Sequence, residues 1–360
     1  HLGDRRTEWF GAHVDPAAPS DRGFEGVDYS HREYLSRHGL VYEPKRTTQL
    51  MNCRRFDGPA EASLSHWLAD QTVMLIDRFQ ESAEPFFIMH SDPGPHAGYI
   101  APEEIYDLYR DVEIPMWPNF EWDSAGAPGP HQVKICPRKD DYTWDDWADA
   151  IRHYYARCTD IDRQLGRIVM ALSERGLLEN TLIIFTSDHG QTMGSHGGLV
   201  DKGWHHFEEI QRIGMVFRGA GVETPGRVVS EWASLLDLYP TILETAEAEF
   251  DPERVHGRSV LPLLEGRDVP WRDEIFVEFF GLGNLVGTLL TCRHGDLKYG
   301  WNCVGPDELY DLSRDPHEMV NLIGRAEYAE RLAEMRRRMA DFMERTGHRS
   351  GKQFVATRLA

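Results

Sequence analysis

The feature that most constrains the fold is a long amphipathic helix pattern that runs directly into a short apolar strand. Thr143 is typical of an N-cap, since two aspartates follow it in the first turn, and Gly176 is typical of a helix end. Apolar side chains recur every three or four residues between them, from Trp147 to Leu172. Residues 181–187 are apolar and β-branched without alternation, which indicates a strand buried on both faces of a parallel sheet. A helix that feeds such a strand is an α/β unit.

Weaker patterns on both sides extend this arrangement. Apolar spacing predicts helices over residues 62–82 and 235–246, and short apolar runs predict strands over 85–89 and 214–217. We therefore predict an α/β domain over residues 1–270, with a central sheet that is mixed, largely parallel and flanked by helices.

The sequence changes character after about residue 270. Two short strand patterns, over residues 275–279 and 288–291, are connected by glycine-containing turns, and a helix pattern covers residues 326–346. Strands followed by one helix predict a small α+β domain over residues 271–360, with an antiparallel sheet and a terminal helix.

Charge and composition exclude several classes of protein. The 360 residues carry 39 Lys and Arg against 59 Asp and Glu, a net charge of −20, so nucleic acids and anionic membranes are poor partners. No apolar run approaches the roughly 20 residues of a membrane span. Five cysteines without a CxxC pair argue against a disulfide scaffold and a cysteine zinc site, although a bridge between Cys292 and Cys303 stays open.

The polar residues after the apolar strand are the first candidates for chemistry. Ligands of open α/β sheets bind beyond the carboxyl ends of strands, where Asp188 and His189 lie. A carboxylate oxygen and an imidazole nitrogen are both good ligands for a divalent metal. Adjacent strand side chains point in opposite directions, so both reach one ion only if the backbone turns, which Gly190 permits. The alternative is that Asp188 caps the next segment and His189 is a satisfied loop histidine.

A glycine-rich stretch downstream concentrates positive charge in an acidic protein. Lys202 lies among three histidines, and such a cluster suits an anionic group such as sulfate or phosphate. Lys202 is able to stabilise charge that develops on an oxygen during a reaction. His205 and His206 are candidate substrate-binding residues, and His196 completes the cluster. The alternative is a solvated loop with incidental histidines.

His96 and a long loop are the remaining candidates. Because imidazole titrates near neutral pH, His96 is able to donate a proton to a leaving group, although a loop histidine without a function is the alternative. Residues 111–142 lack periodicity. Trp117 and Trp122 could stack on a sugar or aryl ring there, but such residues more often hold a long loop down. We predict that residues 115–147 form a specificity loop.

Several segments, in one order along essentially the whole chain, carry a resemblance to a known family. The stretch TLIIFTSDHGQTMGSHG at residues 181–197 resembles the strand and metal-binding turn of the sulfatases, within the alkaline-phosphatase-like superfamily. The other matching segments are Lys202 with Glu208-Glu209 and Arg212-Ile213, SLLDLYPT at 234–241, ELYDL at 308–312 with Asp315-Pro316 and Asn321-Leu322, His1-Leu2-Gly3, and GFEG at 23–26.

The resemblance implies a divalent cation held by Asp188 and His189, usually calcium in sulfatases, and a formylglycine nucleophile. A nitrogen ligand makes manganese, iron or zinc plausible as well. It implies that Lys202 and His96 bind the sulfate and assist the leaving oxygen, and that His1 lies beside the nucleophile. The implied activity is metal-dependent hydrolysis of aryl or carbohydrate sulfate monoesters. The expected partner is therefore a small anionic ester such as a sulfated carbohydrate.

One departure from the family pattern is large. Formylglycine is made from Cys or Ser in a Cys/Ser-x-Pro-x-Arg motif, which these 360 residues lack, since Cys136-Pro137-Arg138 has the wrong spacing. The early Asp-Asp pair of the family's metal site and the Lys expected before His1 are missing as well. We therefore expect these elements upstream of His1 in a longer parent, and expect the chain alone to be inactive.

Two other functions stay open. A histidine at position 189 also resembles the phosphonate monoester and phosphodiester hydrolases of the same superfamily. A non-catalytic protein that binds a sulfated ligand is the third hypothesis, although the candidate residues Asp188, His189, Lys202 and His96 argue against it.

Overall fold

The computed structural model describes residues 8–11, 31–82, 85–122, 141–202, 205–282 and 285–359. His1 and Cys136 lie outside the described residues. The chain forms two compact units, of which the first is His1–Met116 with Asp140–Thr181 and the second is Trp117–Lys139 with Leu182–Ala360. The predicted division near residue 270 stays a prediction.

The first unit is built around two long helices. Its helices are α1 (His31–His38), α2 (Leu64–Ser82), α3 (Glu103–Tyr106) and α4 (Trp144–Glu174), and its strands are β1 (Glu8–Gly11), β2 (Lys45–Arg46), β3 (Arg54–Phe56), β4 (Ile88–Ser91) and β5 (Ile100–Pro102). α2 packs against α4, and both helices were predicted. Thr143 caps α4 as expected: its backbone N donates to Asp146 Oδ2 at 2.7 Å, and Asp146 N donates to Thr143 Oγ1 at 3.4 Å.

The strands of the first unit form two small sheets. β1 pairs in parallel with β4, in a register that places Phe10 opposite His90. β3 pairs in parallel with β5 and antiparallel with β2. β4 ends at Ser91, directly before the loop that carries His96.

The second unit begins with a strand pair. Besides a short helical segment at Ser195–Gly198, its helices are α5 (Glu208–Gln211), α6 (Leu238–Thr245), α7 (Leu261–Leu264), α8 (Ala329–Arg345) and α9 (Gly351–Arg358), and its strands are β6 (Leu182–Thr186), β7 (Met215–Gly219), β8 (Glu274–Leu282), β9 (Leu285–His294), β10 (Leu297–Asn302) and β11 (Glu308–Asp311). β6 pairs antiparallel with β7, and Phe185 is 43% exposed. The expectation of a parallel strand buried on both faces is therefore wrong for the described residues.

An antiparallel sheet and two helices form the carboxyl-terminal part. The strand order is β11-β10-β9-β8, and α8 packs on this sheet. Its core consists of Leu290, Cys292, Tyr299, Trp301, Leu309, Tyr328, Met335, Met339, Met343 and Phe354. β10 and β11 were not predicted, because β10 buries the polar side chains of Lys298 and Asn302 and so shows no apolar alternation. The predicted α/β class, with mixed sheets and an antiparallel carboxyl-terminal sheet, is confirmed.

Two further expectations concern membranes and disulfides. Across the described ranges, no helix is both long and apolar enough to span a membrane. Cys292 and Cys303 are both free thiols, so the bridge between them that the sequence left open does not form. Cys303 Sγ instead accepts a hydrogen bond from Thr288 N at 3.1 Å.

Candidate active site

The Asp188–His189 turn follows β6 in the second unit. Ser187 closes it, because Ser187 Oγ donates to the His189 carbonyl at 2.8 Å, while His189 N donates to Asp188 Oδ1 at 2.9 Å. The Asp188 side chain is 82% exposed, and its Oδ2 lies 3.4 Å from His189 Nε2. The turn therefore brings together the two side chains that the sequence indicated, and their role as metal ligands stays a prediction.

A backbone hydrogen bond sets the tautomer of His189. His189 Nδ1 lies 2.7 Å from the Gly190 carbonyl oxygen, which can only accept, so Nδ1 carries the proton and donates. In the neutral ring the lone pair is then on Nε2, the nitrogen beside the Asp188 carboxylate. Metal-binding histidines are commonly oriented in this way. Within the ranges that the structure describes, no group of three or more His, Cys, Asp or Glu able to hold a metal is found.

Gly190 is required by a close backbone approach. A Cβ at this position would lie 1.9 Å from the Glu209 carbonyl oxygen. Gly190 N donates to the Ile210 carbonyl at 2.8 Å, which joins the turn to α5. We predicted Gly190 because a glycine lets the backbone turn, yet its φ is not positive. Its small size is what allows the turn to lie against α5.

The glycine-rich loop that follows is packed into the interior of the second unit. Backbone φ is positive at Met193, Gly194, His196, Gly197 and Gly198. The buried His196 ring stacks on Phe207, with ring centroids 3.4 Å apart and planes 10° apart. Asn119 Nδ2 donates to Glu209 Oε1 at 2.7 Å and lies 3.3 Å from His196 Nδ1. These contacts hold the glycine-rich loop, which leads directly to Lys202, in place.

The predicted cationic cluster is divided between surface and interior. Lys202 is half-buried, with 21% of its side chain exposed, and its Nζ lies 3.8 Å from Asp201 Oδ1. His205 is 4% exposed, and its ring stacks on Phe207 at a centroid distance of 5.9 Å. Of the two, Lys202 is the more exposed, and its role in binding an anion stays a prediction.

His206 lies in the core, between α5 and the carboxyl-terminal sheet. It is 1% exposed, with Nδ1 2.6 Å from Thr291 Oγ1 and Nε2 3.2 Å from Asn302 Oδ1. Gly300 accommodates the ring, since a Cβ there would lie 2.6 Å from it. The substrate-binding roles predicted for His205 and His206 stay predictions, and for His206 direct contact would require one of these two hydrogen bonds to break.

Two tryptophans were predicted either to stack on a ring or to hold the loop down. Both form hydrogen bonds with backbone carbonyls. Trp117 Nε1 donates to the Met193 carbonyl, and Trp122 Nε1 donates to the Met319 carbonyl, both at 3.0 Å. They hold residues 117–122 in place, as the alternative proposed. Residues 123–140 of the predicted specificity loop lie outside the described ranges.

In the first unit, His96 lies on the exposed loop that follows β4. Its backbone N donates to the Pro93 carbonyl at 3.2 Å, and its Nδ1 lies 3.3 Å from the Ala97 carbonyl oxygen. The imidazole is therefore accessible to a ligand from solvent. His1, the other predicted catalytic histidine, lies outside the described residues.

A buried ionic network holds the loop of His96, and the sequence did not reveal it. Arg157 Nη2 donates to Asp92 Oδ1 at 2.5 Å, and Arg157 Nη1 donates to Asp160 Oδ2 at 2.6 Å. Asp92 Oδ1 also accepts from Gly94 N at 2.7 Å, which fixes the loop. All three charged side chains are at most 9% exposed. Burial raises the pKa of Asp160, and the Arg157 charge opposes that shift.

One signal in the sequence could have indicated this network. Arg157 and Asp160 lie within the apolar stripe of α4, between Tyr154 and Ile161. A charge at such a position has to be paired when the helix is buried.

Comparison with protein families identifies the chain. The family model described as Sulfatase matches residues 29–248, which is more than half of the chain. A second model, described as N-sulphoglucosamine sulphohydrolase, C-terminal, matches residues 194–345. The chain therefore belongs to the sulfatase family, as the sequence motifs indicated.

Two curated relatives show the extent of the match. The uncharacterized sulfatase YidJ of Escherichia coli K12 is 32% identical over 349 residues, covering 94% of this chain and 67% of that protein. An arylsulfatase of Clostridium perfringens is 31% identical over 281 residues, covering 76% of this chain and 56% of that protein. The chain thus spans between about half and two thirds of the length of these relatives.

A solved structure supports the fold. The phosphonate monoester hydrolase SpPMH from Silicibacter pomeroyi superimposes with a TM-score of 0.76 at 22% identity, covering 90% of this chain and 71% of that chain. At this level of identity the likeness shows the fold alone.

Proposed function

We propose that the protein hydrolyses sulfate monoesters of aryl or carbohydrate alcohols, with the Asp188–His189 turn as part of a divalent-metal site. Membership of the sulfatase family supports this reaction class. The single observation that carries the site is the hydrogen bond from His189 Nδ1 to the Gly190 carbonyl, because it leaves Nε2 free to bind a metal beside an exposed carboxylate.

The family as a whole implies a divalent metal and a formylglycine. We infer calcium as the first candidate, with manganese, iron and zinc as alternatives that an imidazole ligand also suits. A bound cation supplies positive charge that polarises the sulfate oxygens. Asp188 and His189 would supply two of its ligands.

The other candidate side chains receive the following roles. Lys202 Nζ binds a sulfate oxygen and stabilises the charge that develops there. As a nucleophile from outside these residues bonds to sulfur, the bond between sulfur and the leaving oxygen breaks, and His96 donates a proton to that oxygen, which departs as an alcohol. We propose that His205 and His206 bind the substrate and, from the resemblance, that His1 acts beside the nucleophile.

The nucleophile is not assigned to any residue of this chain. The 360 residues contain no Cys/Ser-x-Pro-x-Arg motif, so we assign the formylglycine to sequence outside them. The reaction is therefore proposed for the protein together with any coding sequence that flanks these residues.

Hydrolysis of phosphonate monoesters or phosphodiesters is the second candidate. It is favoured by one residue, His189, because an imidazole ligand is the feature that the sequence shares with the phosphonate hydrolases of the superfamily.

The test compares two esters of one alcohol. The protein, expressed with its flanking coding sequence, is assayed on 4-nitrophenyl sulfate and on 4-nitrophenyl phenylphosphonate. We expect the higher kcat/KM on the sulfate, and a loss of about 100-fold in the Lys202→Ala variant. Lys352→Ala, an exposed lysine on α9, is the matched control and should leave kcat/KM unchanged.

Three results would change the assignment. A higher kcat/KM on the phosphonate would favour the second candidate. Equal activity in the Lys202→Ala and Lys352→Ala variants would remove Lys202 from the site. Binding of a sulfated sugar without turnover of either ester would make the protein a non-catalytic binding protein.

A further inference from the structure

The carboxyl-terminal sheet contains a buried charge cluster that contacts the segment carrying α5. Lys298 on β10 and Glu318 are each 1% exposed and form an ion pair. Lys298 Nζ also donates to Glu208 Oε1 at 3.1 Å, and Arg293 Nη1 donates to Glu208 Oε2 at 2.6 Å. One buried lysine thus bridges the buried carboxylate of Glu318 and the half-buried carboxylate of Glu208.

Glu318 contacts the backbone of α5 as well as the charged Lys298. Its Oε2 accepts from Glu208 N at 2.7 Å, at the first residue of α5. The preceding residue is Phe207, whose side chain cannot accept a hydrogen bond. Glu318 itself has a φ of 53°, a left-handed conformation that is unfavourable for a residue with a Cβ. The surrounding structure therefore fixes this carboxylate against α5.

Further contacts attach the same segment to the sheet. Thr291 Oγ1 lies 2.6 Å from His206 Nδ1 and accepts from Gln211 Nε2 at 2.7 Å. The His206 ring also fills the space above Gly300. Residues 206–211 are thus bound to the sheet at both ends.

The opposite side of residues 206–211 contacts the Asp188–His189 turn. Gly190 N donates to the Ile210 carbonyl at 2.8 Å, and the Glu209 carbonyl leaves no space for a Cβ on Gly190. A shift of α5 therefore has to move Gly190, whose carbonyl accepts the hydrogen bond that orients His189.

We propose that Lys298 and Glu318 are positioning residues for the Asp188–His189 turn, and that they act through residues 206–211. They touch neither side chain of the turn. The inference about metal affinity rests on the proposed function, whereas the mechanical coupling between the cluster and the turn does not.

The test uses two readouts on the whole protein with its flanking coding sequence. Hydrogen exchange followed by mass spectrometry reports the opening of a peptide that covers residues 187–193, which contains the Gly190 amide. Titration with Mn²⁺ alone reports metal affinity. In the Glu318→Ala variant we expect faster exchange in this peptide and a Kd for Mn²⁺ raised about ten-fold.

Two further variants separate positioning from general destabilisation. Glu318→Gln retains an oxygen that accepts from Glu208 N, so we expect it to restore most of the protection and affinity. Asp307→Asn is the matched control, because Asp307 is a buried carboxylate directly before β11 that binds Tyr299 and Arg358 instead of α5. It should leave residues 187–193 protected.

The outcomes are distinct from failure of the proposed function. If the unaltered protein binds no Mn²⁺, manganese is removed as the metal, and exchange alone decides the coupling. Equal loosening of residues 187–193 by Glu318→Ala and Asp307→Asn, or no loosening by Glu318→Ala, would overturn the proposal. If Glu318→Ala does not fold, Thr291→Val keeps the shape of the side chain and removes both of its hydrogen bonds, and must loosen the same peptide.

Discussion

Two segments that follow strands present candidate site residues, a catalytic histidine in one and a metal-binding histidine in the other, and they are held in place by different forces. The loop with His96 is fixed by a buried arginine between two buried aspartates, Asp92 and Asp160. The turn with His189 is fixed by a glycine pressed against the backbone of α5. In both, the candidate side chain is accessible from solvent, but only the support of the loop is fully buried. The loop should therefore be sensitive to loss of charge, and the turn to added volume.

The largest expected effect comes from removing the buried charge. Arg157→Met leaves Asp92 and Asp160 buried without a cation, which should lower the free energy of unfolding by roughly 3–5 kcal/mol. Urea denaturation measures this change. The matched control is Arg163→Met on the same helix, where an exposed arginine lies 3.1 Å from Glu104 and contributes less than about 0.5 kcal/mol. Equal losses in both variants would show that the network does not stabilise the unit.

The second-largest expected effect comes from adding a side chain to the Asp188–His189 turn. Gly190→Ala places a Cβ 1.9 Å from the Glu209 carbonyl oxygen, so the backbone has to move, at a cost of about 3 kcal/mol. Gly214→Ala is the control, since its Cβ would have nothing within 4 Å. Thermal denaturation of the two variants makes the comparison. A Gly190→Ala protein as stable as Gly214→Ala would contradict the close approach.

A third prediction concerns pH and the charge cluster behind α5. Burial raises the pKa of Glu318 from 4.5 to about 7, although Lys298 and the hydrogen bond from the Glu208 backbone N oppose the shift. Between these values the folded protein binds more protons than the unfolded chain, so this group makes the free energy of unfolding fall as pH rises. The fall should be on the order of 2 kcal/mol between about pH 4.5 and about pH 7.

Comparison with Glu318→Gln isolates that contribution. Urea denaturation at several pH values should show a steeper decline with rising pH in the unaltered protein than in the variant. Parallel pH profiles would mean that Glu318 does not titrate in this range.

The sequence predicted the exposed candidate residues better than the buried residues that hold their segments in place. Asp188 and His189 could be found because they directly follow an apolar strand, and Thr143 because a cap has a local signature. Arg157 and Lys298 were missed, since a charged residue ordinarily indicates a solvated face. Their partners Asp92 and Glu318 lie far away along the chain, so local patterns do not connect them.

Local sequence patterns also gave wrong predictions where tertiary contacts decide strand pairing and burial. The run at residues 181–187 indicated a parallel strand, yet its pairing with β7 is antiparallel and depends on a segment about thirty residues downstream. The histidines of the glycine-rich stretch looked like a surface cluster, but their burial depends on Phe207 and on the carboxyl-terminal sheet.

The most direct test of the central claim is the metal affinity of the Asp188→Ala variant. In the protein with its flanking coding sequence, this change should abolish Mn²⁺ binding in calorimetric titration. The free energy of unfolding should stay within about 0.5 kcal/mol, because the side chain is 82% exposed. Asp296→Ala, another exposed aspartate of the second unit, should bind Mn²⁺ normally. An Asp188→Ala protein that binds Mn²⁺ as tightly as the unaltered protein would contradict the claim that this turn holds the metal.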